Sequence, residues 1–106
     1  MKEFTVRFSP RANSHLAQIG SYLSKEAGQG SSKKFIGNLI ADCKSLAIFP
    51  ERGTLQQALG AGVRTCGWRR RVTIVFRVIS QRSEVEILAI YYAGQDVSST
   101  FKKEEI

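Results

Sequence analysis

Six of the nine arginines fall between Gly62 and Tyr92, at Arg64, Arg69, Arg70, Arg71, Arg77 and Arg82, and no lysine falls there. A guanidinium is a planar fork of donors that grips carboxylate or phosphate oxygens in pairs, whereas an ammonium acts as a point charge. This stretch therefore suits directed contacts with anions. Tyr91 and Tyr92 close it. A phenol beside guanidiniums can do acid–base work, and the plain alternative is packing within a sheet. The one histidine, His15, lies in a helical segment beside Leu16. It is expected on the helix surface rather than as a base, and an ordinary pKa of about 6.5 does not alter that. Cys43 and Cys66 form no CxxC pair, so neither a structural zinc site nor a cofactor is expected.

These side chains need strands to hold them. Side chains alternate along a strand, so Val72, Ile74, Phe76 and Val78 share one face. Arg69, Arg71, Thr73, Val75 and Arg77 share the other. Ser80–Ser83 reads as a hairpin turn into a strand from Glu84 to Tyr92. Pairing Ile79 with Glu84 sets the register. Phe76 then meets Ile87, Ile74 meets Ala89 and Val72 meets Tyr91 on the core face. On the other face Arg77 meets Glu86, Val75 meets Leu88, Thr73 meets Ile90 and Arg71 meets Tyr92. The Arg77–Glu86 match supports this register, and a slip of one residue would reverse the faces. The apolar strip in the middle of the second face needs a cover. The chain's own tail could supply it, and a partner peptide is the expectation.

Earlier in the chain, Phe4–Phe8 alternates apolar and polar and reads as a strand. Ser9-Pro10 should open a helix, with serine as its cap. Ala12, Leu16, Ile19, Gly20 and Leu23 give that helix an apolar face ending near Ala27-Gly28. Gln29–Ser32 is expected as a turn with a serine capping the next helix. That helix carries Phe35, Ile36, Leu39, Ile40, Cys43, Leu46 and Ala47, and Pro50 is expected to end it. Glu51–Gly62 reads as a connecting loop. Gly94-Gln95-Asp96 reads as a turn, and the tail 97–106 as a frayed helix or disordered chain.

A chain of 106 residues fits a single domain, 1–106. Its net charge of +7 and pI of about 9.9 favour an acidic partner. A nucleic-acid module without toxicity is disfavoured, because Trp68 is the lone candidate for base stacking. The start shows no secretory leader, and no apolar run approaches a membrane span, so a cytoplasmic protein is expected.

The segments VRFSPRANSHLAQIGSYLSKEAG, FIGNLIADCKSLAIFPERG, GVRTCGWRRRVTIVFRV and EVEILAIYYAGQD, in that order, resemble toxins of the RelE/ParE superfamily. These belong to type II toxin–antitoxin, or plasmid stabilization, systems. The resemblance implies an α+β fold, β-α-α-β-β-β, with a helical hairpin packed on a small, mostly antiparallel sheet. It also implies a hetero-oligomer with a ParD-like antitoxin. RelE-type toxins cut mRNA at the ribosome, and ParE-type toxins inhibit DNA gyrase. Metal-free RNA cleavage needs a group to activate the 2′-hydroxyl, a cation for the phosphate and an acid for the leaving oxygen. RelE-like enzymes supply these with lysines, arginines and a tyrosine. Here no lysine lies between Lys44 and Lys102, and the Gly94-Gln95-Asp96 ending is closer to ParE. The expectation is therefore a gyrase inhibitor without catalytic residues. In the ribonuclease alternative Arg64, Arg71, Tyr91 and Tyr92 would act. Antitoxin contact is expected at Arg69, Arg71, Val75, Leu88, Ile90 and Tyr92.

Overall fold

Ser9 does two jobs where the first strand becomes the first helix. A computed structural model describes residues 3–93 and 97–104. Strand β1 (Thr5–Phe8) leads straight into α1 (Pro10–Ala27), with Pro10 in the first turn. The Ser9 hydroxyl accepts from the Ala12 N–H at 3.0 Å, which satisfies one orphan donor of the helix start. The same hydroxyl donates to the Leu88 carbonyl at 3.0 Å, which anchors the helix start to a distant strand. Gly28, at φ 92°, is the sole residue between α1 and α2 (Gln29–Lys44). The expected turn at 29–32 is therefore helical. Ser32 is not a cap: it is buried, and its hydroxyl donates to the Gly20 carbonyl at 2.7 Å, tying the two helices together. Helix α2 stops before Pro50. It ends at Lys44 and passes into a 3₁₀ turn, Ser45–Ala47.

The expected loop contains a two-residue strand, β2 (Thr54–Leu55), and a 3₁₀ turn, Gln57–Leu59. Gly53, at φ 78°, lets the chain pass against the next strand, because a Cβ there would overlap the Thr65 carbonyl. Then come β3 (Val63–Trp68), β4 (Val72–Ile79) and β5 (Glu84–Tyr92). The sheet order is β1-β5-β4-β3-β2, with β1 parallel to β5 and the other pairs antiparallel. This is the anticipated α+β architecture, with β2 and a C-terminal helix α3 (Val97–Glu104) added. The turn expected at Gly94-Gln95-Asp96 lies outside the described residues.

The β4–β5 register starts as expected and then departs. Ile79 pairs with Glu84, and the sequence continues through Arg77↔Glu86 to Phe76↔Ile87. Val75 then pairs with Ala89, so Leu88 is an extra residue in a β-bulge. Every β5 side chain beyond it changes face. Ile74 meets Ile90 and Val72 meets Tyr92 on the helix side, while Thr73 meets Tyr91 on the other. The expected pairs Val75–Leu88, Thr73–Ile90, Ile74–Ala89 and Val72–Tyr91 do not form. The bulge sits where β5 loses its outer neighbour: β1 pairs only as far as Phe8↔Ile87, and Ser9 then holds the Leu88 carbonyl.

The sheet consequently has two cores. On one face Leu16, Ile19, Leu39 and Cys43 from the helices pack on Ile74, Phe76, Val85, Ile87 and Ile90. On the other, Leu59, Val63, Val75, Ala89 and Tyr91 surround Phe101 of α3, which is 2% exposed. Burying such a side chain is worth about 1.5–3 kcal/mol. Arg11 reaches from α1 to this helix: its guanidinium lies 4.6 Å from the Phe101 ring centroid, and Nη1 donates to the Phe101 carbonyl at 3.4 Å. The cover on the apolar strip is therefore the chain's own tail and not a partner peptide. The middle of that face reads as an open strip in the sequence only because Phe101 is remote from it along the chain.

Candidate functional site

Arg69, Arg70 and Arg71 form the turn between β3 and β4, rather than the strand expected for Arg69 and Arg71. The Arg71 N–H closes the turn onto the Trp68 carbonyl at 3.2 Å. Arg69 and Arg70 take φ 51° and 59°, a left-handed conformation usually left to Gly or Asn. It costs each about 1–2 kcal/mol. Three adjacent guanidiniums thus project from one strained corner, and all three residues are exposed. Among the described residues none of the three has a carboxylate partner. Arg69 lies 4.4 Å over the Trp68 ring, and Arg71 Nη1 donates to the Tyr92 hydroxyl at 3.4 Å.

Aromatic rings from four elements meet behind this corner. Phe35 on α2 stands edge-on to Trp68 at 5.0 Å and to Tyr92 at 6.0 Å. Tyr22 on α1 lies 5.9 Å from Tyr92 and is 52% exposed. Two cavities open here and share Tyr92 and Ala93. One, about 210 Å³, is lined by Arg70, Arg71, Thr73 and Tyr91 among others. The second, about 310 Å³, is completed by Gln18, Ile19 and Tyr22. Of these residues the sequence pointed to Arg69, Arg71, Trp68, Tyr91 and Tyr92. Tyr22 and Phe35 gave no signal, because helical residues distant in sequence are brought to the strand ends only by the packing of the hairpin.

The other sequence candidates are placed elsewhere. Arg64 sits at the far end of β3 and does not join Arg71. Its guanidinium donates to the carbonyls of Arg52 at 3.1 Å, Glu51 at 2.8 Å and Gly53 at 3.5 Å, so it clamps the loop before β2. Tyr91 is on the α3 side, not the helix-hairpin side, and is buried. Tyr92 packs with the hairpin aromatics instead. Val75 lies beneath α3, Ile90 faces the hairpin, and Leu88 packs beside the α3 core. Val75 and Ile90 are fully buried and offer no surface for docking. Arg77 stands opposite Glu86, yet its Nε donates to the Ala61 carbonyl at 3.2 Å. It is Arg7, on the neighbouring β1, that lies 3.0 Å from Glu84 and 3.8 Å from Glu86.

His15 is buried, contrary to expectation. Its Nδ1 accepts from the Ile90 N–H at 3.1 Å, and its ring lies 5.0 Å from that of Tyr91. Beyond the bulge β5 has no strand on its outer edge, and the imidazole occupies the place of a strand carbonyl there. Burial pushes the Cys43 thiol up to about 12 and raises Cys66 as well. Both thiols are therefore protonated near neutrality and are not nucleophiles. Among the described residues no group of three His, Cys, Asp or Glu is arranged for a metal ion, and no helix is long and apolar enough to cross a membrane.

Among solved structures, the chain is similar to a chain of a chromosomal ParDE toxin–antitoxin system from P. aeruginosa. The match is 21% identical, covers 88% of this chain and 99% of that one, and has a TM-score of 0.74. A chain of the RelBE2 toxin–antitoxin complex from Mycobacterium tuberculosis matches at 18% identity, with coverages of 90% and 97% and a TM-score of 0.67. A mutant of E. coli RelE in the free state matches at 15% identity, with 98% of both chains covered and a TM-score of 0.65. At such identities these likenesses establish the fold. No curated protein sequence matches the chain. The model of the ParE toxin of type II toxin–antitoxin systems, parDE, matches residues 6–97, and with nearly the whole domain inside that match the chain belongs to the ParE toxin family.

Proposed function

We propose that this toxin acts as an inhibitor of DNA gyrase in the cytoplasm and is neutralised by a ParD-like antitoxin bound to it in a hetero-oligomer. The observation that carries this reading is the position of Arg64. Of the four groups that could have assembled a ribonuclease site, Arg64 is held by loop carbonyls at the opposite end of the sheet, and Tyr91 is buried under α3. Arg71 and Tyr92 do meet, at 3.4 Å. The +7 charge suits an acidic antitoxin segment. With Val75 and Ile90 enclosed, Arg69, Arg71, Leu88 and Tyr92 are the parts of the anticipated docking surface that keep some exposure.

Purified toxin is expected to block supercoiling by gyrase and to leave ribosome-bound mRNA intact. Cleavage of the mRNA, with supercoiling unaffected, overturns the reading. The Arg71–Tyr92 contact favours a second reading, ribosome-dependent mRNA cleavage, in which the phenol exchanges the proton and the guanidinium steadies the phosphate. In that case Arg71→Ala combined with Tyr92→Phe abolishes cleavage.

A further inference from the structure

The two adjoining cavities at the arginine corner differ in chemistry, and the difference matches the two halves of a nucleotide. The smaller one is lined by Arg70, Arg71, Thr73 and the two tyrosines, among others. Paired guanidiniums in a small polar hollow are suited to phosphate oxygens. The larger one is walled by the rings of Tyr22 and Tyr92, the Ile19 side chain and Gln18. It presents π-faces and one amide. Tyr92 and Ala93 line both cavities, which places the two hollows side by side.

We infer that this corner binds single-stranded DNA, with a phosphate between Arg70 and Arg71 and a base stacked against Tyr22. The exposed Tyr22 ring beside the guanidiniums favours this over an acidic peptide, because a base has a face to stack on it. Arg69 and Arg70 are held at φ 51° and 59°, and three guanidiniums in a row have no carboxylate partner among the described residues. Unfavourable backbone conformations that persist in a fold concentrate at binding sites. The larger cavity offers the exposed ring of Tyr22, and base–aromatic stacking accepts any sequence. Gln18 Nε2 already donates to Ser14 Oγ at 3.3 Å. Its second N–H and its Oε1 suit a carbonyl and the N3–H of a pyrimidine such as thymine. The strand must be single, because a paired base cannot present its face to Tyr22.

This inference does not rest on gyrase as the target, and its test is separate. Fluorescence anisotropy of a labelled oligothymidylate with the whole chain is expected to show binding that weakens with salt. Tyr22→Ala changes an exposed ring and should keep the fold, which circular dichroism checks. It is expected to weaken binding roughly fivefold or more, the loss of one stacked base. Arg70→Gln is expected to lower the slope of log K against log salt by about 0.7, one phosphate contact on a single strand. The inference is overturned by absence of binding at low salt, by affinity unchanged in Tyr22→Ala, or by equal affinity for duplex. Tighter binding of oligouridylate overturns it too, as does a polyglutamate peptide whose binding needs Tyr22 while oligothymidylate does not bind. None of these results depends on the supercoiling assay.

Discussion

The two ends of the β3–β4 hairpin carry the same residue type in opposite roles. At one end Arg64 and Arg77 donate to the carbonyls of Arg52, Glu51 and Ala61, and Arg52 itself holds Ser45 Oγ at 2.7 Å and Asp42 at 3.5 Å. At the other end Arg69, Arg70 and Arg71 have no carboxylate partner among the described residues. The difference lies in what the chain brings near. The 51–62 loop folds over the first end and presents carbonyls that would otherwise lack donors. The second end is a tight turn, and among the described residues no carboxylate reaches its arginines. A cluster of arginines is therefore not a binding surface until its hydrogen bonds have been traced.

Variants can break or sharpen this contrast, and the largest effect belongs to a structural arginine's partner. Removing the ring beneath Arg11, Phe101→Ala, is expected to cost about 3–5 kcal/mol by leaving a cavity over Val75 and Tyr91. Urea denaturation measures it. A loss under about 1 kcal/mol would show that α3 does not cover this face. Next, Arg64→Ala is expected to cost about 2 kcal/mol, since charged donors leave loop carbonyls unpaired. Arg64→Lys should not restore it, because an ammonium cannot span the carbonyls as a planar fork does. If Arg64→Ala melts like the parent while blocking toxicity, the two ends are less distinct than their hydrogen bonds indicate.

At the other end the sign should reverse. Glycine at position 70 relieves about 1 kcal/mol of left-handed strain and adds chain entropy to the unfolded state, so Arg70→Gly is expected to gain roughly 0.5 kcal/mol. Calorimetry would detect it, and a destabilised Arg70→Gly would mean the guanidinium holds the fold. The smallest effect concerns pH. Cys43 has its thiol raised from 9.0 to about 12, so its contribution is complete below pH 9 and is lost as pH rises toward 12. Denaturation midpoints should fall across that window. Cys43→Ala should flatten the fall, and an unchanged slope would assign it to other groups.

Much of the fold is legible in the residues. Ser9-Pro10 announces a helix start, the apolar spacing from Ala12 to Leu23 gives its buried face, and Ile79 opposite Glu84 sets a hairpin whose register holds as read as far as Phe76 and Ile87. The candidate site is legible only in part. Arg71 and Tyr92 meet as expected, but across a turn, and Tyr91 and Ile90 exchange faces because of one extra residue at Leu88. Strand alternation has no way to register such an insertion, since Leu88 is as suited to a strand as its neighbours.

The sequence by itself determined the order of elements, the apolar faces of the two helices and the concentration of arginine near the last three strands. Those follow from local rules: capping chemistry, periodicity and the preference of each residue type. Tertiary structure decided which arginines are occupied, which tyrosine is buried and what lies over the apolar face. Those depend on contacts between residues far apart in the chain. Ser9 reaches Leu88, His15 meets Ile90, Arg64 holds the loop at 51–53, and Phe101 fills the hollow above Val75. No local pattern encodes a carbonyl or a ring that arrives from elsewhere in the chain, and at this protein's arginine corner Tyr92 reaches Arg71 while, among the described residues, no carboxylate reaches Arg69, Arg70 or Arg71.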